Sequence, residues 1–238
     1  MALCVTRVTD TIQEVCYDVR NEAITSKGEK LMTLFDRIIL LATGLVAIYL
    51  LWRFFTRYRK AGKMYDIYYM VPFGVLLVAG LLLIAFTYDA LASPWVVIVA
   101  VLIPAGLSLG LVAEFCPKYE KAYLAFALLG LIAIAITRFT GPAGLATTVL
   151  VIVHSVAGLL VFVLPILAVR QGKAPGGFIW VTVGGVLIGL GGIALAFLKT
   201  GRQLLFFSEG LVFTILAPLL LLMALAFAWG FVKQIKAA

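Results

Sequence analysis

A single histidine lies within a long apolar stretch of this sequence. His154 is the only histidine of the chain and stands in "TTVLVIVHSVAGLLVFVLP". An imidazole with an unperturbed pKa of about 6.5 exchanges protons readily, so a proton-active role is one interpretation. A neutral hydrogen bond to Thr147, Thr148 or Ser155 is another. Haem b is less favoured, because bis-histidine ligation needs a second histidine, and only a methionine such as Met223 or a histidine from a partner could replace it.

Four other ionisable residues, at the ends of apolar stretches or one to two turns inside them, are candidates for the same site. They are Asp89, Arg138, Lys199 and Glu209. Since a charge at the bilayer centre costs about 2.5–3.5 kcal/mol, each needs a partner or a role. One interpretation is a structural network that pairs Glu209 with Arg138 or Lys199. The other is a pocket in which Glu209 and His154 exchange protons while a cation holds an anionic or carbonyl group.

These residues belong to segments that the sequence predicts to be membrane helices. The chain is 64% hydrophobic and 13% charged, with a mean hydropathy of +1.14, which excludes a soluble domain. Runs of 18 or more apolar residues predict transmembrane helices, whereas a β-barrel requires alternation that is absent here. The sequence predicts an all-α bundle over residues 36–238 with seven spans, at 36–56, 67–88, 94–114, 122–139, 143–169, 177–198 and 204–232.

Residues 1–35 form a separate segment that we expect to contain an amphipathic helix. One apolar stripe recurs at intervals of three and four residues, formed by Val5, Val8, Ile12, Val15 and Val19. Such a helix lies on the membrane surface or over the bundle, or it docks another subunit through the stripe. The stripe is too short to separate these possibilities.

The distribution of basic residues predicts the orientation. Alternate connections carry most of the cations, namely Arg53, Arg57, Arg59, Lys60, Lys63, Lys118, Lys121, Arg170, Lys173, Lys233 and Lys236. The positive-inside rule places these connections and the C-terminus in the cytoplasm, and the N-terminus outside. The net charge of +8 is explained by this topology and by lipid head groups, and nothing indicates nucleic-acid binding.

Small residues form a smooth face on the sixth predicted span. Gly185, Gly189, Gly192 and Ala196 recur at intervals of four, three and four residues. Such a face allows two helices to approach closely, so it predicts helix packing. A surface on which a flat ligand or a lipid tail lies is the alternative.

The segment "GLLVFVLPILAVRQGKAPGGFIWVTVGGVLIGLGGIALAFLKTGR" covers residues 158–202. It has an apolar helix with an internal proline, a short basic loop and a glycine-rich helix that ends in a cation. It resembles the late helices of NrfD and polysulfide-reductase type membrane anchors. That resemblance implies a haem-free subunit that exchanges electrons with quinones and docks iron–sulfur subunits. Pro165 and Lys199 match, although the family usually has eight or more spans and an arginine at the position of Lys199.

We therefore expect a quinone-interacting membrane anchor of a respiratory or electron-transfer complex, in a prokaryotic cytoplasmic membrane. A proton- or cation-coupled transporter or channel subunit is the alternative, as is a purely structural accessory subunit. Neither a zinc site nor a redox motif is expected from the spacing of Cys4, Cys16 and Cys116.

Overall fold

The computed structural model describes residues 33–87, 94–199 and 209–237. All of them belong to one compact unit, Thr33–Ala238. The predicted amphipathic helix and its valine stripe lie outside the described residues.

The described chain is helical, as the sequence predicted, and it has seven α-helices. They are α1 (Leu34–Ala61), α2 (Met64–Phe86), α3 (Pro94–Phe115), α4 (Glu120–Thr140), α5 (Ala143–Arg170), α6 (Trp180–Lys199) and α7 (Glu209–Ala237). Short 3-10 turns, Pro117–Tyr119 and Gly176–Ile179, precede α4 and α6. Six of the helices are long and apolar enough to cross a membrane, and the described side chains of the seventh, α6, lie in the shorter apolar stretch Gly176–Gly192. These features are those of an integral membrane protein.

The first helix is longer than the predicted span. Thr33 caps its N-terminus, because the Thr33 hydroxyl accepts the Asp36 N–H at 3.1 Å while the Asp36 carboxylate accepts the Thr33 N–H at 3.0 Å. At the other end, Gly62 adopts φ +65° and donates its N–H to the Tyr58 carbonyl at 2.8 Å. Glycine accepts this left-handed conformation without strain. Residues 57–61, expected in a connection, are therefore helical. Cations in this last turn also stabilise the helix, because they interact favourably with the negative end of the helix dipole.

Six of the helices form a closed ring in the order α1, α2, α3, α5, α6, α7, with α7 returning to contact α1. The remaining helix, α4, packs outside the ring against α3 and α5. Helices α1, α3, α5 and α7 end on the side of the bundle where α2, α4 and α6 begin. We call this side the basic end, because it carries Arg57, Lys60, Lys118, Arg170 and Lys233, and we call the other side the opposite end.

The basic half of the ring is filled by aromatic side chains. Phe54, Tyr69, Phe73, Phe227 and Phe231 are all buried. Their ring centroids lie close together, for example 4.8 Å between Tyr69 and Phe231 and 5.2 Å between Phe54 and Phe231. Rings at these separations interdigitate in offset and edge-to-face contacts, so α1, α2 and α7 share one packed core.

Glycines on α3 allow α2 to approach it closely. A Cβ at Gly106 would lie 2.7 Å from the ring of Pro72, and a Cβ at Gly110 would overlap the ring of Tyr69. Small residues permit this contact between membrane helices, where apolar surfaces gain little from burial alone. The close contact fixes the position of Tyr69, which is part of the site described below.

Candidate functional site

A buried ion pair joins α1 to α2 at the basic end. Arg57 lies near the end of α1 and Asp66 in the first turn of α2, so the chain reversal at Gly62 brings the two side chains together. Arg57 Nε donates to Asp66 Oδ1 at 2.5 Å, and the side chains are 9% and 0% exposed. Charges so poorly hydrated require partners, and each of these residues supplies one for the other.

Glu114, in the last turn of α3, extends this ion pair to α3 and α7. Its carboxylate accepts hydrogen bonds from Arg57 Nη1 at 3.4 Å, from the Tyr69 hydroxyl at 2.8 Å and from Gln234 Nε2 at 3.3 Å. Residues of four helices therefore meet around one carboxylate. We call Arg57, Asp66, Tyr69, Glu114 and Gln234 the charge cluster.

Aromatic rings surround the cation of the charge cluster. The guanidinium carbon of Arg57 lies 5.0 Å from the ring centroid of Tyr65 and 5.4 Å from that of Phe54. Cation–π contacts of this kind stabilise a poorly solvated arginine by about 0.5–2 kcal/mol. Removing one partner from a buried ion pair destabilises a protein by about 3–5 kcal/mol. The cluster therefore holds the basic ends of α1, α2, α3 and α7 in one arrangement.

Some polar atoms at the edge of the charge cluster lack a partner in the described part of the chain. They are Arg57 Nη2, Asp66 Oδ2 and Gln234 Oε1, together with Arg53 Nε beside the cluster. Two of these residues, Arg53 and Arg57, also line a cavity of about 480 Å³, whose other lining residues are Trp52, Thr56, Lys60, Ala61, Lys63, Tyr65 and Ile235. Buried polar atoms without a partner are unfavourable, so this edge of the cluster has unused hydrogen-bonding capacity.

Two further hydrogen bonds attach α4 to the ring. The Tyr68 hydroxyl donates to Glu120 Oε1 at 3.1 Å, and the hydroxyls of Ser108 and Tyr123 lie 2.7 Å apart. Glu120 and Tyr123 stand in the first turn and at the start of the second turn of α4. The polar contacts of α4 are thus near the basic end.

The charge cluster could not be predicted from the sequence, in which Arg57 serves only as one of the basic residues that indicate topology. Glu114 lies 57 residues from Arg57 in the sequence, and Gln234 lies 120 residues from Glu114, so no spacing rule connects them. One local signal was present: Asp66 follows the basic end of α1 across a two-residue turn at Gly62. Carboxylates at the edge of a span next to an arginine are a general indication of a buried pair.

His154 lies midway along α5 and packs against α6. Its Nε2 is 3.5 Å from the position that a Cβ on Gly192 would occupy. One turn toward the basic end, side chains at Gly158 of α5 and Gly189 of α6 would meet no heavy atom within 4 Å. Both glycines are half-buried. We call this open stretch of backbone beside the imidazole the glycine slot.

Helix α6 is smooth on two faces, not only on the predicted one. A Cβ at Gly185 would lie 2.8 Å from Val161 Cγ1, so α5 and α6 approach closely just beyond the glycine slot. On the other side, a Cβ at Gly184 would lie 2.7 Å from the ring of Phe227 of α7. Ala196 lies further along α6, in the part whose side chains are not described. The glycines of α6 therefore serve close contacts with both of its neighbours.

The other predicted site residues lie nearer the opposite end than His154 does. Arg138 is in the last turn of α4, Lys199 ends α6 and Glu209 begins α7. Helix α5 begins at the opposite end, and His154 lies about 16 Å along the helix from that start, at a rise of 1.5 Å per residue. The backbone thus places these three positions at a different level of the bundle from His154. Asp89 lies outside the described residues.

Two of the groups considered as partners of His154 have contacts of their own. The Thr148 hydroxyl donates to the Gly144 carbonyl at 2.9 Å. Met223 is 1% exposed and packs in the aromatic core of the ring. Within residues 33–87, 94–199 and 209–237, His, Cys, Asp and Glu do not form any group of three or more that could hold a metal ion.

Comparison with protein-family models, with curated proteins and with solved structures gave no match. The similarity of residues 158–202 to the NrfD type of anchor therefore stays a prediction.

Proposed function

We propose that this chain is the quinone-interacting membrane anchor of a multisubunit electron-transfer complex. The observation that carries the proposal is the glycine slot beside His154, between α5 and α6. The described connections between helices are short, so they leave no room for a soluble redox domain in the described part of the chain. The electron carriers of the complex then belong to partner subunits.

The residues of the glycine slot fit a quinone. A flat ring can lie on the bare backbone at Gly158 and Gly189, and the close contact of Gly185 with Val161 limits the slot toward the basic end. His154 can donate a hydrogen bond or a proton to a carbonyl oxygen at the edge of the ring. A bound quinone supplies two-electron, two-proton chemistry, and the protein supplies the apolar slot and the proton donor.

The slot opens toward lipid. Leu159 next to Gly158 and Leu190 next to Gly189 are 63% and 56% exposed. Large apolar side chains at these positions are expected to face acyl chains, which are the solvent in which quinones dissolve. A quinone can therefore reach His154 laterally, without passing through the ring of helices.

In the membrane, we infer that all seven helices span the bilayer, α6 included. The start of α6 lies against the end of α7, because a Cβ at Gly177 would lie 2.8 Å from Lys233 Cγ and a Cβ at Gly230 would lie 2.7 Å from Val181 Cγ2. An α6 of 20 residues that runs antiparallel to α7 is long enough to cross about 30 Å. The positive-inside rule then puts the basic end in the cytoplasm of a prokaryotic cell and the N-terminus outside.

The segment at residues 1–35 is the proposed docking element for a partner subunit. Its valine stripe suits a helix of another protein, and it lies on the side of the membrane opposite the basic end in the proposed topology. A lipid-surface position for this segment would leave the anchor role of the bundle unchanged.

The first test is purification of the chain from its native membrane in a mild detergent, with mass spectrometry of the subunits that accompany it. Iron–sulfur, flavin, molybdenum or cytochrome subunits support the proposal. Recovery as a lone protein or a homo-oligomer contradicts it.

The quinone site is tested with variants of the slot in the purified complex. Gly158→Leu fills the slot, and we expect its KM for a soluble quinone analogue to rise about tenfold or more, since ring and side chain would compete for one space. Gly144→Leu is the matched control on the same helix, because a side chain there also meets no atom within 4 Å but lies about 15 Å from His154. His154→Ala should lower kcat without preventing assembly. Equal KM values for the two glycine variants would refute the site.

The alternative function, a proton- or cation-coupled transporter, is supported by the buried carboxylates of the charge cluster. Asp66 and Glu114 lie inside the ring, where an exchangeable proton or cation can bind to a carboxylate. In reconstituted liposomes, that function predicts a proton or cation flux that Glu114→Gln abolishes. The control is Glu120→Gln at the start of α4, which should leave the flux intact.

A further inference from the structure

The cavity beside the charge cluster is strongly cationic. Four of its lining residues carry a positive charge, Arg53, Arg57, Lys60 and Lys63, and none carries a negative charge. The first three recur at intervals of four and three residues, so they share one face of α1. The carboxylates that neutralise Arg57 lie on α2 and α3, and no carboxylate in the described residues pairs with the other three cations. The cavity therefore attracts anions.

Two arginines at this cavity have donors to offer. Arg57 is 8% exposed, and its Nη2 is buried without a partner in the described chain, as is Arg53 Nε. An anionic oxygen bound in the cavity would lie beside both guanidinium groups, which line it. Phosphate suits this arrangement, because guanidinium groups bind its oxygens through several parallel hydrogen bonds.

An apolar stripe leads from the membrane interior to the cavity. Leu41, Leu45, Ile48 and Trp52 follow each other at intervals of four, three and four residues on α1, and all are at least 48% exposed. Trp52 also lines the cavity, in the position at the membrane interface that tryptophan favours. An acyl chain along this stripe would place its head group at the four cations.

We propose that this cavity binds the phosphate group of a phosphate-bearing ligand, supplied by an anionic phospholipid of the bilayer or by a soluble phosphate ester. The cavity volume of about 480 Å³ is within the range of small-ligand sites, about 300–1,000 Å³. The site is at the basic end and is separate from the glycine slot. Its occupation would join the end of α1 to the turn that precedes α2, and so would stabilise the arrangement of the charge cluster.

The test uses the full chain in an uncharged detergent, titrated with phosphatidylglycerol, phosphatidylcholine or glycerol 3-phosphate while its thermal denaturation is followed. The shift of the melting temperature with ligand concentration gives an apparent Kd. The test variant is Arg53→Gln with Lys60→Gln. The matched control is Arg170→Gln with Lys173→Gln, which removes the same charge from exposed positions at the same end of the bundle.

We expect the test variant to bind phosphatidylglycerol about tenfold or more weakly than the unaltered chain, since each cation near a lipid surface contributes about 1 kcal/mol. The control variant should bind as the unaltered chain does. Saturation by phosphatidylglycerol alone identifies the lipid as the source of the phosphate, and equal saturation by glycerol 3-phosphate identifies a soluble ester.

Two results would overturn the proposal. An equal loss of affinity in both double variants would mean that the general charge of the surface attracts the lipid. Equal affinity for phosphatidylglycerol and for phosphatidylcholine, whose phosphate is neutralised by choline, with no binding of glycerol 3-phosphate, would mean that the cavity does not select an anionic phosphate ligand. Arg53→Lys, which keeps the charge but loses the parallel hydrogen bonds of the guanidinium group, should bind more weakly than the unaltered chain and more tightly than the test variant, and it separates a folding defect from loss of the site.

Discussion

Replacement of Glu114 by leucine tests whether the charge cluster holds the helices together. The carboxylate accepts three hydrogen bonds, from Tyr69, Arg57 and Gln234. Each hydrogen bond to a charged group contributes about 1.5–3 kcal/mol, and these contributions are not additive within a network. Since Asp66 remains to pair with Arg57, we expect the loss to lie at the lower end of the range for breaking a buried ion pair, about 3 kcal/mol.

This loss converts into a measurable shift of the melting temperature. For a chain of 150–250 residues, 1 kcal/mol corresponds to about 2–4 °C, so Glu114→Leu should melt about 6–12 °C lower. Glu114→Gln keeps an acceptor for Tyr69 but loses the charge, and we expect about half of that effect. The assay is the fraction of monodisperse protein that remains on size-exclusion chromatography after heating in detergent.

Glu120→Leu is the matched control. Glu120 accepts one hydrogen bond, from Tyr68 at 3.1 Å, and it joins α4 to the outside of the ring. Its removal should lower the melting temperature by less than half as much as Glu114→Leu. Equal shifts of the melting temperature for the two variants would show that the cluster does not hold the ring together. A Glu114→Leu protein with the same melting temperature as the unaltered chain would show the same.

Three smaller changes probe the contacts around the cluster by the same heating assay. Tyr69→Phe removes the hydroxyl that donates to the Glu114 carboxylate on α3 and should destabilise the protein by about 1.5–3 kcal/mol. Tyr49→Phe, at an exposed position, should have no effect. Equal melting temperatures for the two variants would contradict the hydrogen bond. Gly110→Ala places a methyl group against the Tyr69 ring and should destabilise the protein by about 1–3 kcal/mol. Gly74→Ala, whose methyl group meets no atom within 4 Å, should not destabilise it. If Gly74→Ala destabilised the protein more than Gly110→Ala, the close packing of α2 on α3 would be refuted. Gly62→Ala forces a left-handed conformation on alanine and should destabilise by about 1 kcal/mol, and an unchanged melting temperature would exclude that conformation.

The site could be predicted only in part. His154 was recognised from its type and surroundings, and its contact partner Gly192 was among the small residues predicted to form a packing face. Arg138, Lys199 and Glu209 were expected at or near the ends of apolar stretches, and their helices place them toward the opposite end. Which of these residues come near His154 depends on the register of antiparallel helices, because each connection sets where its helix begins.

The amino-acid sequence alone is sufficient to predict a bundle of membrane helices and the approximate position of each helix along the chain. Hydropathy is a local property: an apolar run of sufficient length must form its backbone hydrogen bonds internally, whatever its neighbours are. The predicted spans stopped short of helix ends that carry charged residues, at residues 57–61 of α1, 64–66 of α2 and 233–237 of α7. The end of α1 is held in the helix by the Gly62 cap.

Contacts between residues that are distant in the sequence depend on the tertiary structure. Arg57 and Asp66 are brought together by one turn, but Glu114 and Gln234 join them from helices distant in sequence. Likewise, the glycine slot exists because α5 and α6 place Gly158 and Gly189 at the same level beside His154. The faces that helices present to one another depend on side-chain packing over the whole ring, and that information is not contained in any single segment.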